Sequence, residues 1–126
     1  MTKARVLIVE DNSDLRRLYA FGLNQRGYEV KLAANGAEAL DRLESEKPDI
    51  ILLDLFMPVM SGWDVLDRID TFTDRIPIVV ISGTTERPTE SPHASIVSWL
   101  SKPVALDELC QALEEAITVP PAGAEQ

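Results

Sequence analysis

The chain has little cysteine, few basic residues relative to acidic ones and no long apolar runs, which are features of disulfide-bonded, nucleic-acid-binding and membrane-spanning proteins. Cys110 is the only cysteine in 126 residues, so an internal disulfide is excluded and a reducing, cytoplasmic setting is expected. The 21 acidic residues outnumber the 12 basic ones, and the resulting net charge of -9 argues against nucleic acid as a direct ligand. No segment approaches the roughly 18 apolar residues of a membrane span, and no signal peptide is visible.

Histidine is equally scarce, and the glycine-lysine loop of P-loop NTPases is missing. His93 is the only histidine, lies beside Pro92 in a polar stretch and has no partner at the spacing of a metal site. The remaining composition, 45% hydrophobic and 26% charged, is that of an ordinary globular protein. At this length we expect one domain over residues 1–119. The proline-rich residues 120–126 are expected not to pack, as a free terminus or the start of a linker.

Short apolar segments alternate with segments whose apolar residues recur every three or four positions. The first kind predicts strands and the second predicts amphipathic helices. Strands are expected at Arg5–Val9, Glu29–Ala33, Ile50–Leu53, Ile78–Ile81 and Ile96–Leu100. Helices are expected around Leu15–Leu23, after an Asn35 and Glu38 capping pair, around Trp63–Ile69 and over Ala105–Ile117, where Cys110 is expected to be a buried small hydrophobe. This alternation predicts an α/β protein with a parallel sheet and helices on both faces.

Two of the predicted strands end directly on acidic residues. Ile50–Leu53 is an unbroken apolar run, typical of a strand buried on both faces, and Asp54 follows it. Glu10 and Asp11 follow the first strand in the same way. Parallel strands deliver their C-terminal residues to one edge of the sheet, so the three carboxylates are expected to meet there. Their repulsion favours a protonated acid or a bound cation, and Mg²⁺ needs only one or two carboxylates.

The last two strands add a hydroxyl and an ammonium group to the same edge. Ser82 follows the fourth strand, and Lys102 follows the fifth and precedes Pro103. A lysine is usually a solvated surface charge, but here the strand and the proline hold its backbone. A cis Lys102–Pro103 bond, the minority state of X-Pro bonds, would aim the lysine inward.

Four short motifs, each at a strand end, resemble the receiver domain of two-component response regulators. They are Val9-Glu10-Asp11-Asn12, Asp54-Leu55-Phe56-Met57-Pro58 with Ser61-Gly62, Ser82-Gly83, and Trp99-Leu100-Ser101-Lys102-Pro103. The resemblance runs from about Lys3 to Ile117. It implies a flavodoxin-like, doubly wound (βα)5 sandwich whose five parallel strands stand in the order 2-1-3-4-5.

The resemblance also implies a role for each residue of the acidic cluster. Asp54 aligns with the aspartate that accepts the phosphoryl group. Asp11 aligns with the direct ligand of Mg²⁺, and Glu10 with the acid that holds a metal-bound water. The backbone carbonyl of Phe56 would complete the protein ligands of the metal. Glu10 stands where aspartate is commoner, a departure that leaves the metal site intact.

Three further residues complete the implied mechanism. Ser82 matches the hydroxyl that contacts the phosphoryl group, and Lys102 matches the lysine that pairs with it. Trp99 stands at the position of an aromatic ring that swings inward when Ser82 moves. The implied function is Mg²⁺-dependent phosphoryl transfer from a phosphohistidine of a sensor kinase or phosphotransfer protein to Asp54, which switches a protein-binding surface. A stand-alone regulator is expected, and the alternative is a degenerate receiver that acts only as a scaffold.

Further predictions concern residues on or near the surface of the protein. Leu15 is expected beside the Pro103 and Val104 loop, where it docks the phosphoryl donor or, alternatively, belongs to the core. Arg16 and Arg17 are interpreted as a solvated helix face, and Trp63 as packing its helix against the sheet. Gly83–Ser95, in the place of the family's fourth helix, contains Pro88 and Pro92 and no apolar stripe, which predicts a loop or a single helical turn.

Overall fold

The computed structural model describes residues 4–55, 61–72, 76–83 and 95–118. Strands and helices alternate as β1 (Arg5–Val9), α1 (Ser13–Gln25), β2 (Glu29–Ala33), α2 (Gly36–Ser45), β3 (Ile50–Asp54), α3 (Gly62–Phe72), β4 (Ile78–Ser82), β5 (Ile96–Ser101) and α4 (Leu106–Thr118). The predicted strands are all present. β3, β4 and β5 each run one residue further than predicted, so that Asp54 and Ser82 belong to the strands themselves.

The five strands form one parallel sheet in the order β2-β1-β3-β4-β5, which confirms the expected topology. Val9 pairs with Leu53 across β1 and β3, so the residues that follow them, Glu10 and Asp54, lie side by side at the ends of the two strands. Ser82 pairs with Ser101 across β4 and β5, one residue before Lys102. The register therefore collects the predicted site residues at the C-terminal edge of the central strands.

Each face of the sheet has its own apolar core. Alternate residues of a strand point to opposite faces. In β1, Leu7 and Val9 face α2 and α3, whereas Val6 and Ile8 face α1 and α4. Both faces of β3 and β4 are covered, which is why these strands are apolar throughout.

The predicted helix caps and the buried cysteine are also present. Asn35 Oδ1 accepts from the Glu38 amide at 2.9 Å, and Glu38 Oε1 accepts from the Ala34 amide at 2.8 Å. The first bond satisfies an amide that a helix start leaves without an intrahelical partner, and the second ties the residue before the N-cap to the first turn. Cys110 is buried as expected, and Arg26 Nη1 lies 2.9 Å from its sulfur.

Several predictions fall on parts of the chain outside the described residues. They concern Phe56, His93, the segment around Pro88 and Pro92, and the tail over 120–126. The domain boundary at residue 119 also stays a prediction. Within the described part of the chain, the helices are too short or too polar to span a lipid bilayer.

Gly62, at the start of α3, lies against the backbone that carries Asp54. A Cβ on Gly62 would lie 2.6 Å from the Asp54 carbonyl oxygen and 2.7 Å from Leu55 Cα. Because both atoms belong to the backbone, the strand end or the helix start would have to move. We expect Gly62→Ala to lower the free energy of unfolding by about 2 kcal/mol.

Gly83 supplies a matched control for this prediction, since a Cβ built there meets nothing within 4 Å. Gly83→Ala is expected to change the free energy of unfolding by less than about 0.5 kcal/mol. Urea denaturation of both variants gives the comparison. Equal losses of stability would show that the close approach of Gly62 to β3 is not a constraint.

Candidate functional site

Three carboxylates meet at the C-terminal edge of β1 and β3. Glu10, Asp11 and Asp54 each offer an oxygen, and these oxygens lie within 4.8 Å of one another. Glu10 is fully buried and Asp54 is 2% exposed, whereas Asp11 is exposed. The structure therefore brings together the three acids that the strand pattern placed at one edge, two of them out of contact with bulk water.

Lys102 lies between the two buried acids. Its Nζ is 2.9 Å from Glu10 Oε1 and 3.0 Å from Asp54 Oδ2. Its backbone amide donates to the Ser82 carbonyl at 2.7 Å, which ties the ends of β4 and β5 together. The Lys102–Pro103 peptide bond is in the cis state that the sequence left open, and the lysine points into the site. One ammonium thus faces two buried carboxylates, with a third carboxylate nearby.

The pKa values of Glu10 and Lys102 are both raised, for different reasons. Burial raises the pKa of Glu10 and outweighs Lys102 and the Asn12 amide, which lower it; the charge of Asp54 raises it further. Burial alone would lower the pKa of Lys102, but the hydrogen bond to Asp54 and the nearby carboxylates of Glu10 and Asp54 outweigh burial and raise it. The Lys102 ammonium therefore stays charged to a higher pH than an ordinary lysine, and the Glu10 carboxylate is protonated more easily than an ordinary glutamate.

Ser82 ends β4, and Trp99 lies on β5 three residues before Lys102. Ser82 is 3% exposed at the end of β4. Trp99 on β5 is half-buried against the core shared with α2 and α3. Its ring centroid lies 6.5 Å from that of Trp63, with the planes tilted by 47°. Trp63 itself is 36% exposed, but its neighbour Trp99 belongs to the edge strand β5, so Trp63 packs α3 against the sheet as expected and remains partly accessible.

The turn between β1 and α1 is held by contacts that the sequence did not reveal. Asn12 caps α1 by accepting from the Leu15 amide at 3.0 Å, and its own amide donates to Glu10 Oε2 at 3.1 Å. Arg16 Nη1 donates to the carbonyl of Glu10 at 2.8 Å and lies 3.4 Å from that of Asp11. The interpretation of Arg16 as solvated is therefore wrong, whereas Arg17 is exposed as expected. Because the acceptors are backbone carbonyls, no spacing of residue types signals the contact.

The residues expected to dock a phosphoryl donor are only partly accessible. Leu15 and Val104 are half-buried and pack against the core shared with α1 and α4, while Pro103 is exposed. Leu18 and Phe21 of α1 are 58% and 66% exposed. Leu18 lies off the buried face of α1, which is centred on Tyr19 and Leu23, although its spacing from Leu15 fits the apolar pattern that predicted this helix.

The donor set suits a hard divalent cation. Asp11 presents an exposed carboxylate, and Glu10 Oε1 is buried and accepts no hydrogen bond of good geometry from the described residues despite the nearby ammonium. Mg²⁺ binds carboxylate oxygens in small number and keeps several of its own waters. The residues present therefore fit Mg²⁺, although the carbonyl of Phe56 lies outside the described residues.

Comparison with known proteins agrees with this geometry. Residues 6–114 match the response regulator receiver domain family. Sporulation initiation phosphotransferase F of Bacillus subtilis is 32% identical over 117 residues, which cover 91% of this chain and 94% of the relative. Response regulator MprA of Mycolicibacterium vanbaalenii is 33% identical over 95% of this chain, but the match spans only 54% of the relative.

A solved structure with the same fold is the response regulator receiver domain protein (CheY-like) of Methanospirillum hungatei. It superposes with a TM-score of 0.82 at 26% identity, covering 90% of this chain and 93% of the other. Members of the family generally bind Mg²⁺ and interact with histidine kinases or phosphotransfer proteins. The strand order, the acidic edge with its lysine and the match over most of the chain agree: this chain belongs to the response regulator receiver family and is a phosphoacceptor signalling module of a two-component system.

Proposed function

We propose that Asp54 takes up the phosphoryl group, that its donor is a phosphohistidine of a sensor kinase or phosphotransfer protein, and that Mg²⁺ assists the transfer. The observation that carries the proposal is the position of Asp54 at the end of β3, 3.0 Å from the Lys102 ammonium. Glu10 is fully buried and accepts from the turn amide of Asn12, which suits a supporting acid. Asp11 is exposed on the turn, which suits a metal ligand.

The transfer needs positioning and charge compensation more than covalent help from the protein. A carboxylate oxygen of Asp54 bonds to phosphorus as the bond from phosphorus to the donor imidazole nitrogen breaks, and that electron pair stays on the imidazole. Asp11 and Asp54 would hold the metal directly and Glu10 through a water. When bound, Mg²⁺ supplies positive charge that offsets the repulsion between Asp54 and the phosphoryl oxygens. Lys102 would exchange its pairing with Asp54 for pairing with the new phosphoryl group.

The same residues support a two-state switch. We infer that the Ser82 hydroxyl is drawn to the phosphoryl group, which opens space at β5 for the ring of Trp99. Trp99 would then leave its present contact with Trp63. A local change in charge would thereby bias a packing arrangement at the surface. The two rings are the only tryptophans of the chain, so their fluorescence reports on this step.

The proposal is tested with acetyl phosphate, a small phosphodonor that needs no partner protein. In MgCl₂ we expect intact-protein mass spectrometry to show one added phosphoryl group, and in EDTA at least about tenfold slower incorporation, because the charge compensation is lost. Mg²⁺ at about 100 times its dissociation constant should also add about 2.7 kcal/mol to the free energy of unfolding. A module that serves only as a scaffold would gain no phosphoryl group, and that result would overturn the proposal.

A protein donor must also dock, and we propose that it does so on α1 beside the Pro103 and Val104 loop. Leu15 lies at the edge of this surface, and the exposed Leu18 and Phe21 extend its apolar area. We expect Leu15→Ala to slow transfer from a sensor kinase of the same organism about tenfold, the equivalent of about 1.4 kcal/mol of lost contact. Transfer from acetyl phosphate should be unchanged.

The control for this docking prediction is another partly exposed apolar residue, Ile117, which is 41% exposed near the end of α4. Ile117→Ala should leave both reactions unchanged. If Leu15→Ala slows both donors equally, Leu15 acts as a core residue rather than as part of a docking surface.

A further inference from the structure

We propose that Arg16 is a positioning residue that holds the turn between β1 and α1, and with it the carboxylate of Asp11, in the geometry that Mg²⁺ requires. The inference rests on the metal site proposed above. It concerns a residue of the first turn of α1 that touches neither the phosphoryl group nor the metal in that proposal.

The contacts of Arg16 bridge the turn from helix to strand. Its backbone amide donates to the Asn12 carbonyl at 2.9 Å, so its Cα is fixed within the helix. Its guanidinium reaches back, and Nη1 lies 2.8 Å from the carbonyl oxygen of Glu10 and 3.4 Å from that of Asp11. One nitrogen thus spans the two consecutive peptides that carry the acids. Hydrogen bonds from a charged donor are stronger than neutral ones.

The two acids differ in how much they need this support. Glu10 is held by burial, by the Asn12 amide at 3.1 Å and by the nearby Lys102 ammonium. The carboxylate of Asp11 is exposed, and within the described part of the chain no side chain or amide contacts it at hydrogen-bond distance. Its position therefore follows from the backbone of the turn, which is the part that Arg16 holds.

Charge alone would give Arg16 the opposite effect on metal binding. A guanidinium near three carboxylates repels an incoming dication, so removing the charge by itself should tighten the binding of Mg²⁺. Loss of the bridge between the two carbonyls should weaken it, because an unheld Asp11 must be ordered at the moment of binding. The sign of the change in affinity therefore separates the two effects.

Arg17 offers a matched control. It is the next residue of the same helix, it is exposed, and it makes no hydrogen bond or ion pair with the described residues. Arg17→Gln changes the net charge by the same amount as Arg16→Gln but leaves the turn untouched.

The test is calorimetric titration of MgCl₂ into the full chain and the two variants. We expect Arg16→Gln to raise the dissociation constant of Mg²⁺ about fivefold, the equivalent of about 1 kcal/mol. Arg17→Gln should leave it unchanged or lower it slightly. Arg16→Lys, which keeps the charge and can reach one carbonyl, should fall between the wild-type protein and Arg16→Gln. Equal changes in Arg16→Gln and Arg17→Gln would overturn the proposal, because charge would then explain both.

Two further measurements separate positioning from a general loss of structure. At saturating Mg²⁺, Arg16→Gln should be phosphorylated by acetyl phosphate at nearly the wild-type rate, since only the metal affinity is impaired. A lower melting temperature in EDTA with an unchanged dissociation constant would show that Arg16 is only structural and would overturn the proposal. If the wild-type chain binds no Mg²⁺, both the proposed metal site and the role of Arg16 are wrong. If the wild-type chain binds Mg²⁺ but Arg16→Gln and Arg17→Gln have the same dissociation constant, the metal site stands and only the role of Arg16 is wrong.

Discussion

Replacement of Asp54 by asparagine is expected to abolish phosphorylation of this chain by acetyl phosphate. The amide oxygen of asparagine is a poor nucleophile, and the neighbouring acids are unsuited to replace it, since Glu10 is fully buried and Asp11 lies on the exposed turn. Intact-protein mass spectrometry in MgCl₂ should show complete conversion of the wild-type chain and no added phosphoryl group in the variant.

The variant should also remain folded, which makes a negative result meaningful. Without Asp54 one ammonium faces one buried carboxylate, because Lys102 Nζ still lies 2.9 Å from Glu10 Oε1. We expect the free energy of unfolding without metal to be equal or higher, since repulsion within the acidic cluster falls. Asp41→Asn, which removes the same charge from the exposed side of α2, is the control and should be phosphorylated normally. Incorporation at the wild-type rate in Asp54→Asn would place the phosphoryl group on another residue.

Replacement of Lys102 by methionine is expected to be the most destabilising change in the site. Methionine keeps much of the side-chain volume but leaves Glu10 and Asp54, 0% and 2% exposed, without a cation. Breaking a buried ion pair by removing one partner costs about 3 to 5 kcal/mol. Because Lys102 is itself 22% exposed, the lower end of that range is expected in EDTA at pH 8. Mg²⁺ should restore part of the loss by taking over the role of the cation.

The loss of stability in Lys102→Met should become smaller as the pH falls, because Glu10 becomes protonated. The ammonium lowers the pKa of Glu10, so its removal raises a pKa that burial already raises. The folded variant then binds more protons than the unfolded chain in the pH window between about 4.3, the pKa of a free glutamate, and the raised pKa of Glu10 in the folded variant. The free energy of unfolding therefore falls as the pH rises through this window, by at most about 1.4 kcal/mol per pH unit for one proton.

In the wild-type chain Lys102 itself contributes no slope near neutrality. Its pKa is raised, so its stabilising effect is complete below the ordinary pKa of lysine and is lost only at higher pH. Urea denaturation at pH 5, 6, 7 and 8 in EDTA measures the difference between Lys102→Met and the wild-type chain. The double variant with Glu10→Gln is the control and should lose most of the added slope. A difference that is independent of pH would assign the instability to packing rather than to an unpaired carboxylate.

The strands and most of the helices of this protein were readable from the sequence because their signals are local. The apolar run Ile50–Leu53 marks a strand covered on both faces, and Asn35 with Glu38 marks a helix start through contacts that span only three or four residues. The acids at the strand ends were readable for the same reason. Parallel strands aligned side by side bring their C-terminal residues to one edge whatever the details of packing.

Only the tertiary structure decided two kinds of contact: those between residues far apart in the chain, and those in which a side chain binds backbone atoms. The pairing of Val9 with Leu53 sets Glu10 beside Asp54, and the 48-residue separation of Asp54 from Lys102 closes to a 3.0 Å contact. The bridge from Arg16 to two carbonyls, the pairing of Trp63 with Trp99 and the exposure of Leu18 likewise left no trace in residue spacing. Burial and long-range contacts depend on how helices settle on the sheet, whereas a periodic pattern specifies only which face of each element is apolar.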